Sequence, residues 1–337
     1  MDKFRLRLDE IERLAAAALR RHGASESQAA ALAAGITAAE RDGLKSHGLM
    51  YLPTYCEHLI CGKVIGMAEP VLSRPAPASL VVDAGCGFAH AAIDVGLTAL
   101  VDAARSTGVA YLAIRNSYNC GVLGYHTERI AGYGLVALGF TNAPASIAPW
   151  GARKAALGTN PWSLAVPDDE GGARFVIDQS ASVVAKSEVM KRARAGEKIP
   201  EGWAFDSEGN PTTDPAEALK GTMAPAAGYK GVGSALLVEI FAACLAGATP
   251  GVEASPFSGI AGGPPRTGQF FLAVATGPSS GGAFAERLKT VVLAFEGNGA
   301  RLPGARRRTS RAETERNGVD VGETAHATLL KLAGPEL

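Results

Sequence analysis

Short apolar runs alternate with segments of helical period between residues 80 and 180, and this alternation constrains the fold more than any other pattern in the chain. Because each run is too short for a stable helix, the runs predict buried strands and the segments between them predict helices packed on a sheet. The pattern is typical of an α/β protein. The predicted strands are 80–83, 111–114, 135–140, 163–166 and 174–177, and the predicted helices are 90–107 and 121–132.

A helical segment precedes this region. Residues 6–22 repeat apolar side chains at helical spacing, which predicts a first amphipathic helix. Ser25 and Gln28 have the spacing of a capping box, so a second helix is expected to run to residue 40. Ser46 is predicted to cap a third helix. The opening of the chain is therefore expected to be entirely helical.

Segments rich in Pro and Gly interrupt the regular pattern. Residues 70–78 contain several prolines and are predicted to form a linker. Residues 196–228 predict a long ordered loop, a feature that usually serves function. Beyond this loop the sequence predicts an apolar helix over 230–245, a loop over 250–268, a strand over 269–274 and helices over 282–297 and 323–333.

The charge balance of the 337-residue chain limits its partners. Lys and Arg number 33, and so do Asp and Glu, which argues against a general nucleic-acid-binding protein. No apolar run reaches the roughly 20 residues of a membrane span. The N-terminus has no signal-peptide core, so a cytoplasmic protein is expected, without nucleic acid or membrane as partner.

Spacing excludes several kinds of site. The five cysteines are scattered and odd in number, so neither a disulfide framework nor a zinc site is expected, and no other metal-ligand spacing occurs. Gly85-Cys86-Gly87 lacks the third glycine of a dinucleotide-binding fingerprint, and no acidic residue follows at the usual distance. A standard Rossmann site and a P-loop are therefore excluded, and any nucleotide must bind through other loops.

Ser46-His47-Gly48 is the first candidate for chemistry. A histidine titrates near neutral pH and can exchange a proton with a substrate, and a neighbouring hydroxyl can pass that proton on. The alternative is structural, with Ser46 as a helix cap and His47 as a surface residue in the first turn.

Four further polar segments each have a functional and a structural interpretation. Residues 178–182 and 228–231 each open a predicted helix, where free N–H groups suit a phosphate, although ordinary caps look the same. Residues 158–161 and 116–121 are polar turns next to predicted strands, and a polar run at a strand end is a common ligand position. The basic run 306–308 suits either a phosphate or a solvated helix face.

Taken together and in this order, the motifs resemble the malate/L-lactate dehydrogenase family, whose members lack a Rossmann fold. This family includes sulfolactate dehydrogenase, ureidoglycolate dehydrogenase, 2,3-diketogulonate reductase and the Δ1-piperideine-2-carboxylate and Δ1-pyrroline-2-carboxylate reductases. The matching segments span nearly the whole chain. They are Ser46-His47-Gly48 with Leu52-Pro53-Thr54-Tyr55, Gly158–Pro161, Ile177–Ser182, Ile199–Trp203, Pro211–Pro215, Lys230-Gly231 and Leu302-Pro303-Gly304.

The resemblance implies a mixed α/β (α+β) fold with a non-Rossmann NAD(P)-binding domain on a mixed sheet. Residues 1–75 with 305–337 would form a helical, dimer-forming and substrate-side domain, and residues 76–304 the α/β NAD(P)-binding and catalytic region. It also implies a homodimer with its active site near the subunit interface.

The implied reaction is NAD(P)-dependent interconversion of a 2-hydroxy acid and a 2-oxo acid, of the sulfolactate, malate or lactate type. The first alternative is NADPH-dependent reduction of a cyclic ketimine, Δ1-piperideine- or Δ1-pyrroline-2-carboxylate. The second is a relative that binds nucleotide without turnover. The choice between NAD and NADP stays open.

Site residues follow from the resemblance by position. His47 matches the catalytic histidine, and Ser46 and Asp178 match its proton-relay partners. Thr159 and Asn160 match a pocket between cofactor and substrate. The expected cofactor contacts are Asn160, Asp178, Gln179, Ser180, Ala181, Ser182, Lys230, Gly231, Pro303 and Gly304.

The chain departs from the family pattern at two substrate-side positions. Tyr51 stands where members usually carry an arginine that clamps the substrate carboxylate, and Asn119 stands where many carry a histidine. Neither residue supplies a positive charge. Our hypothesis is that Lys186 replaces the arginine while Tyr51 and Asn119 bind a neutral polar group; the alternative is that Lys186 is a surface residue.

Overall fold

A computed structural model describes residues 3–335. Within this range the chain forms twelve strands and twelve α-helices, with a 3-10 turn at Lys45–His47 and a π-helical turn at Ile240–Leu245. In chain order the elements are β1 (Lys3–Leu6), α1 (Leu8–Arg21), α2 (Glu26–Arg41), α3 (Leu52–Ile60), β2 (Val71–Ala76), β3 (Ser79–Asp83), α4 (Ala89–Thr107), β4 (Val109–Ser117), α5 (Leu123–Ala131), β5 (Leu135–Thr141), β6 (Trp162–Pro167), β7 (Ala173–Gln179), α6 (Lys186–Ala195), β8 (Ala204–Phe205), β9 (Pro211–Thr212), α7 (Pro215–Lys220), β10 (Thr222–Met223), α8 (Tyr229–Glu239), β11 (Thr267–Ala275), α9 (Thr276–Ser280), α10 (Phe284–Gly297), α11 (Ala305–Asn317), β12 (Val319–Gly322) and α12 (Glu323–Ala333).

Seven strands form one mixed sheet in the order β2-β3-β4-β11-β5-β6-β7. Only β3 and β4 pair in parallel, joined by α4, and the other neighbours are antiparallel. Both faces are covered. Phe271 of β11 packs with α4 and α5, whereas its neighbour Phe270 packs with Val238 and Ala242 on the other face. The predicted mixed α/β class is confirmed.

The first three helices and α12 share a separate apolar core. The strand pair β1 and β12 closes this unit, with Lys3 opposite Gly322 and Leu6 opposite Val319. The Ser25 cap is confirmed, because its hydroxyl accepts a hydrogen bond from the Gln28 N–H at 3.3 Å. The capping box is only half formed, since the Gln28 side chain instead bonds the backbone of two other segments, at Ala68 and Phe88.

Four local predictions were wrong. The opening of the chain is not entirely helical, because strand β1 precedes α1 and pairs with β12. Residues 70–78 are not a linker, because 71–76 form the exposed edge strand β2. Ser46 does not cap a helix, since it lies in the 3-10 turn and α3 begins at Leu52. Residues 196–228 are not a plain loop, because β8, β9 and β10 form a small sheet there beside α7. Strand pairing, which the local pattern did not reveal, accounts for β1, β2 and the small sheet.

Candidate active site

His47 lies in the 3-10 turn between α2 and α3. Its Nδ1 atom is 3.0 Å from the Ser46 hydroxyl. Buried Glu40 fixes the turn, because its Oε1 accepts a hydrogen bond from the Leu49 N–H at 2.7 Å, and burial raises the pKa of this carboxyl group. A Cβ on Gly48 would lie 2.2 Å from the same Oε1, so only glycine fits there. The Ser-His pair is therefore held in one geometry.

The His47 ring lies in a cleft, where solvent reaches it but protein surrounds it. Desolvation lowers the pKa of His47, the Asp178 carboxylate opposes this, and the Arg307 guanidinium adds to it. His47 is therefore mainly neutral at pH 7 and available as a base.

Asp178 is the penultimate residue of β7, and its carboxylate faces this cleft. Its Oδ2 atom accepts hydrogen bonds from the Gly124 N–H at 2.9 Å, in the first turn of α5, and from Arg307 Nη2 at 3.0 Å. A Cβ at position 124 would lie 2.6 Å from Arg307 Nη1 and 2.8 Å from the carboxylate. The structure thus brings the three residues expected to be catalytic, Ser46, His47 and Asp178, to one place.

Arg307 is a further candidate site residue, which the sequence analysis did not assign to the site. The basic run suggested a phosphate contact or a solvated face, and Arg306 and Arg308 are indeed exposed on α11. Arg307 instead turns inward, and its side chain is 21% exposed beside Asp178 at 11%. The signal in the sequence was weak: consecutive residues of a helix point in different directions, so the three arginines do not share one face.

Two of the segments expected to bind cofactor are joined by a backbone hydrogen bond, and a third packs beside them. Ala181 N–H donates to the Thr159 carbonyl at 2.8 Å, and the Ala226 N–H donates to the Ala181 carbonyl at 2.8 Å. Gly231 packs directly against this ladder, since a Cβ there would lie 2.1 Å from the Ala226 carbonyl oxygen. The segments around 159, 181 and 231 therefore form one surface.

The side chains of the remaining residues on this surface differ in their exposure to solvent. Ser180 and Ser182 bond each other at 3.0 Å, and Ser182 also donates to the Val184 carbonyl at 2.8 Å, so their hydroxyls hold the loop. Gln179 is exposed at the end of β7, and Lys230 is exposed in the first turn of α8. Lys230 is free to meet an anionic group.

Asn160 is fully buried at a backbone φ of +34°, and its side chain points into the protein. Its Nδ2 atom donates to the Glu239 carboxylate at 2.7 Å and to the Ala235 carbonyl at 2.9 Å, and its Oδ1 atom accepts from the Ala143 N–H at 3.1 Å. The side chain therefore shapes the 158–161 turn, and a cofactor could meet only the backbone here.

Pro303 and Gly304 lie beside β7. Gly304 packs against Val176, which precedes Asp178 by two residues in this strand. Gly304 has a φ of +78°, and a Cβ there would lie 3.1 Å from the Val176 carbonyl oxygen. A cavity of about 20 Å³ lies between this turn and α11, and Arg307 is among its lining residues. This turn therefore adjoins the Asp178 side of the site rather than the 159–181–231 surface.

Tyr51 and Asn119 belong to an aromatic cluster. The Tyr51 hydroxyl donates to the Phe257 carbonyl at 3.2 Å, and the Tyr55 hydroxyl donates to Asn119 Oδ1 at 3.0 Å. Tyr118 packs edge-on against Tyr55 and bonds buried His58. This wall offers neutral hydrogen-bonding groups and aromatic faces, and no charge on Tyr51 or Asn119.

Lys186 opens α6 and is exposed. Nearby protein lowers the pKa of its amine through desolvation, and among residues 3–335 it forms no ion pair. It follows the 180–184 loop directly, so it lies nearer in sequence to the cofactor surface than to Tyr51. Its role as a substrate ligand stays a prediction.

The donor set suits a dinucleotide. Exposed lysines stand in the first turns of α6 and α8, where backbone N–H groups are free and favour phosphate. Over the described part of the chain, no three His, Cys, Asp or Glu side chains come together as metal ligands. In the same range, every helix is too short or too polar to cross a membrane.

Comparisons with known proteins agree over almost the full length. The family model described as malate/L-lactate dehydrogenase matches residues 6–330. The (2R)-3-sulfolactate dehydrogenase (NADP(+)) of Chromohalobacter salexigens is 43% identical over 307 residues, covering 91% of each chain. A Δ1-pyrroline-2-carboxylate/Δ1-piperideine-2-carboxylate reductase of Pseudomonas aeruginosa is 38% identical, covering 98% of this chain and 99% of that protein.

Solved structures show the same architecture. The Δ1-piperideine-2-carboxylate reductase of Pseudomonas syringae superposes with a TM-score of 0.92 at 34% identity, covering 98% of this chain and 99% of that one. The sulfolactate dehydrogenase of Methanocaldococcus jannaschii gives a TM-score of 0.85 at 26% identity, covering 98% and 96%.

Proposed function

The chain belongs to the malate/L-lactate dehydrogenase family and is an NAD(P)-dependent oxidoreductase, and we propose that it interconverts a 2-hydroxy acid and the matching 2-oxo acid. The sulfolactate, malate and lactate type is the leading substrate class. The observation that carries this proposal is the Ser46–His47 pair at 3.0 Å, held in a cleft that the Asp178 carboxylate also faces.

The reaction needs a proton and a hydride at adjacent atoms. When bound, the nicotinamide supplies or accepts the hydride at C2 of the substrate. Ser46 occupies Nδ1 of His47, so Nε2 is the ring nitrogen left to exchange a proton with the C2 oxygen. Reduction uses the protonated ring and oxidation uses the neutral one. Asp178 stabilises the protonated ring, because its charge raises the pKa of His47.

Cofactor binding is assigned in this proposal to the surface made by Thr159, the 179–182 loop and Lys230-Gly231, with Pro303-Gly304 at its Asp178 side. Lys230 and the free N–H groups of α8 would meet the phosphates. Several residues of this set are proposed to act only through their backbone, Asn160 among them, because their side chains are already used inside the protein.

Cyclic ketimine reduction is the second candidate. Several relatives carry that activity in their names, and the wall of Tyr51, Tyr55 and Tyr118 is neutral and aromatic. Such a wall suits a ring that carries a single carboxylate. Reduction of the C=N bond would use the same proton donor, since nitrogen replaces oxygen at the reacting position.

A homodimer is part of the proposal. Four apolar side chains on the outer side of α8 and the π-helical turn are 45–59% exposed, and we call them the apolar face. They are Leu236, Leu237, Ile240 and Leu245. A run of this kind is typical of a protein interface, and a second copy of the chain is the proposed occupant.

We also propose the domain division given above, 1–75 with 305–337 against 76–304, and a cytoplasmic location. The first rests on the separate core of α1, α2, α3 and α12, and on Arg311 of α11, which bonds Asp42 of α2. The second rests on the exposed free thiols of Cys61 and Cys244, which suit a reducing compartment.

One titration tests the function. Purified protein is titrated with NADPH and with NADH by nicotinamide fluorescence, and then assayed with 2-oxo acids and cyclic imino acids under the tighter cofactor. Turnover of sulfopyruvate, oxaloacetate or pyruvate supports the leading class, and turnover of piperideine- or pyrroline-2-carboxylate alone supports the second. Binding without turnover of any of them supports the non-catalytic relative, and no binding of either nucleotide contradicts the oxidoreductase.

A further inference from the structure

Glu239 is a buried carboxylate at the point where α8 becomes the π-helical turn. It is 7% exposed, and within residues 3–335 it forms no ion pair. A buried carboxylate without a cation is costly unless amide donors surround it. At this place the carboxylate is surrounded by amide donors from other segments of the chain.

Four segments of the chain meet at this carboxylate. Its Oε2 accepts from Asn160 at 2.7 Å. Its Oε1 accepts from the Gly251 N–H at 2.7 Å and from Asn142 at 3.4 Å. Asn160 and Asn142 continue the network to the backbone of the neighbouring residues 143, 249 and 268. Glu239 thus ties the turn after β5, the 158–161 turn and the loop before β11 to one helix.

The same helix carries the proposed cofactor residues at its other end. Lys230 and Gly231 stand in its first turn, and Gly231 packs on the ladder that joins Ala226, Ala181 and Thr159. Glu239 therefore holds the 158–161 turn from behind while α8 holds the other side of the same surface. A π-helical turn directly after it is a rare element that occurs often at functional sites.

We propose that Glu239 is a positioning residue for the cofactor: through Asn160 it fixes the 158–161 turn against the 181 and 231 segments. This rests on the proposed function, because it takes that surface as the NAD(P) site. Glu239 acts through Asn160 and touches neither the substrate nor the reacting atoms. It therefore governs cofactor affinity and leaves the proton chemistry of His47 unchanged.

Glu239→Gln tests this. In this variant an NH2 group replaces one carboxylate oxygen and faces a hydrogen-bond donor. Either Asn160 or Gly251 therefore loses its acceptor. We expect the Kd for NADPH to rise at least tenfold, while kcat at saturating cofactor stays within about threefold and the pH limb of His47 does not move. The control is Gln28→Met, which removes two buried hydrogen bonds in the helical unit and should lower Tm without changing Kd. Equal Kd in Glu239→Gln and the parent overturns the proposal.

Hydrogen exchange on the unmodified protein gives a second test that does not depend on a variant folding. NADPH should slow exchange in the peptide containing 158–161 and, through Glu239, at Gly251, which no cofactor assignment includes. Protection of 158–161 with unchanged exchange at Gly251 overturns the positioning role. If the parent binds no nucleotide at all, the proposed function fails instead, so the two failures are distinguishable.

Discussion

Arg307 donates a hydrogen bond from Nη2 to Asp178 Oδ2 at 3.0 Å, and these two residues set the charge next to His47. They act on the His47 ring in opposite directions, because the carboxylate raises its pKa and the guanidinium lowers it. The pair comes from elements 129 residues apart in the chain. A substitution at either residue of this salt bridge should therefore change the pKa of His47 and the pH dependence of the reaction.

The first prediction concerns that pH dependence. Asp178→Asn should move the limb of kcat/KM for reduction to lower pH, because the protonated ring loses its stabilising charge. Arg307→Gln should move the same limb to higher pH. Full pH profiles of both variants check this, with Arg306→Gln, an exposed neighbour, as control. Shifts in the same direction would contradict the arrangement.

His47→Ala should lower kcat by about 100- to 10,000-fold, the usual contribution of a positioned general acid–base group. NADPH affinity should stay unchanged, because the ring faces the substrate oxygen. Steady-state rates and fluorescence titration measure the two effects separately. His326→Ala removes an imidazole that stacks on Phe4 and should keep full activity. A small loss of kcat in His47→Ala would exclude it as the proton donor.

Lys186→Ala tests the replacement of the missing arginine. Loss of a charged carboxylate contact should raise the activation free energy that kcat/KM reports by about 2 to 4 kcal/mol, so kcat/KM should fall. Lys191→Ala on the same helix is the matched control, because Lys191 is exposed and pairs with Glu188. If Lys186→Ala stays within a few-fold of the parent, the carboxylate is bound elsewhere, and Arg307, whose charge acts on His47, becomes the next cation to examine.

The buried pair His90 and His126 should make the protein acid-sensitive. Desolvation lowers the pKa of both, to about 3 for His90. The folded state therefore holds them neutral, and stability present above pH 6.5 is lost as the pH falls from 6.5 toward the folded value. The loss from His90 alone at pH 5 is about 2 kcal/mol.

Urea unfolding at pH 8 and at pH 5 measures this loss. His90→Asn cannot titrate, so its stability should depend less on pH even if it is lower overall. An unchanged difference between the two pH values would assign the acid sensitivity to other groups.

Leu237→Glu should convert the proposed dimer to a monomer, because it places a charge in the centre of the apolar face. Light scattering of the eluted protein gives the mass directly. Val291→Glu alters a similarly exposed apolar residue on α10 and should leave the mass unchanged. A parent protein that is already monomeric would contradict the dimer itself.

The sequence predicted those parts of the fold that local periodicity encodes. Most strands of the sheet and the long helices lie close to their predicted positions, because burial imposes a period of 2 or 3.6 on the side chains. The sheet order was not predictable, since β11 inserts between β4 and β5 through pairing alone. Strand β2 was missed because every side chain in it is exposed and no alternation marks it.

The candidate site shows the same division. Ser46, His47 and Asp178 were predicted because their motifs match the family by position, and the structure places the three near one another. Their catalytic roles stay predictions. Arg307 and Glu239 were missed because each gains its significance from a partner far along the chain, Asp178 and Asn160 respectively. Asn160 was predicted from its position in the family motif. The motif does not identify Glu239 as the partner of its buried amide.

The pairing of β1 with β12 sets an order of events during synthesis. Strand β1 leaves the ribosome long before its partner β12, so the helical unit holding His47 closes late. Until then the apolar sides of α1 and α2 lack part of the cover that α12 gives them. The time for which this apolar surface is open should therefore depend on how quickly β12 and α12 emerge.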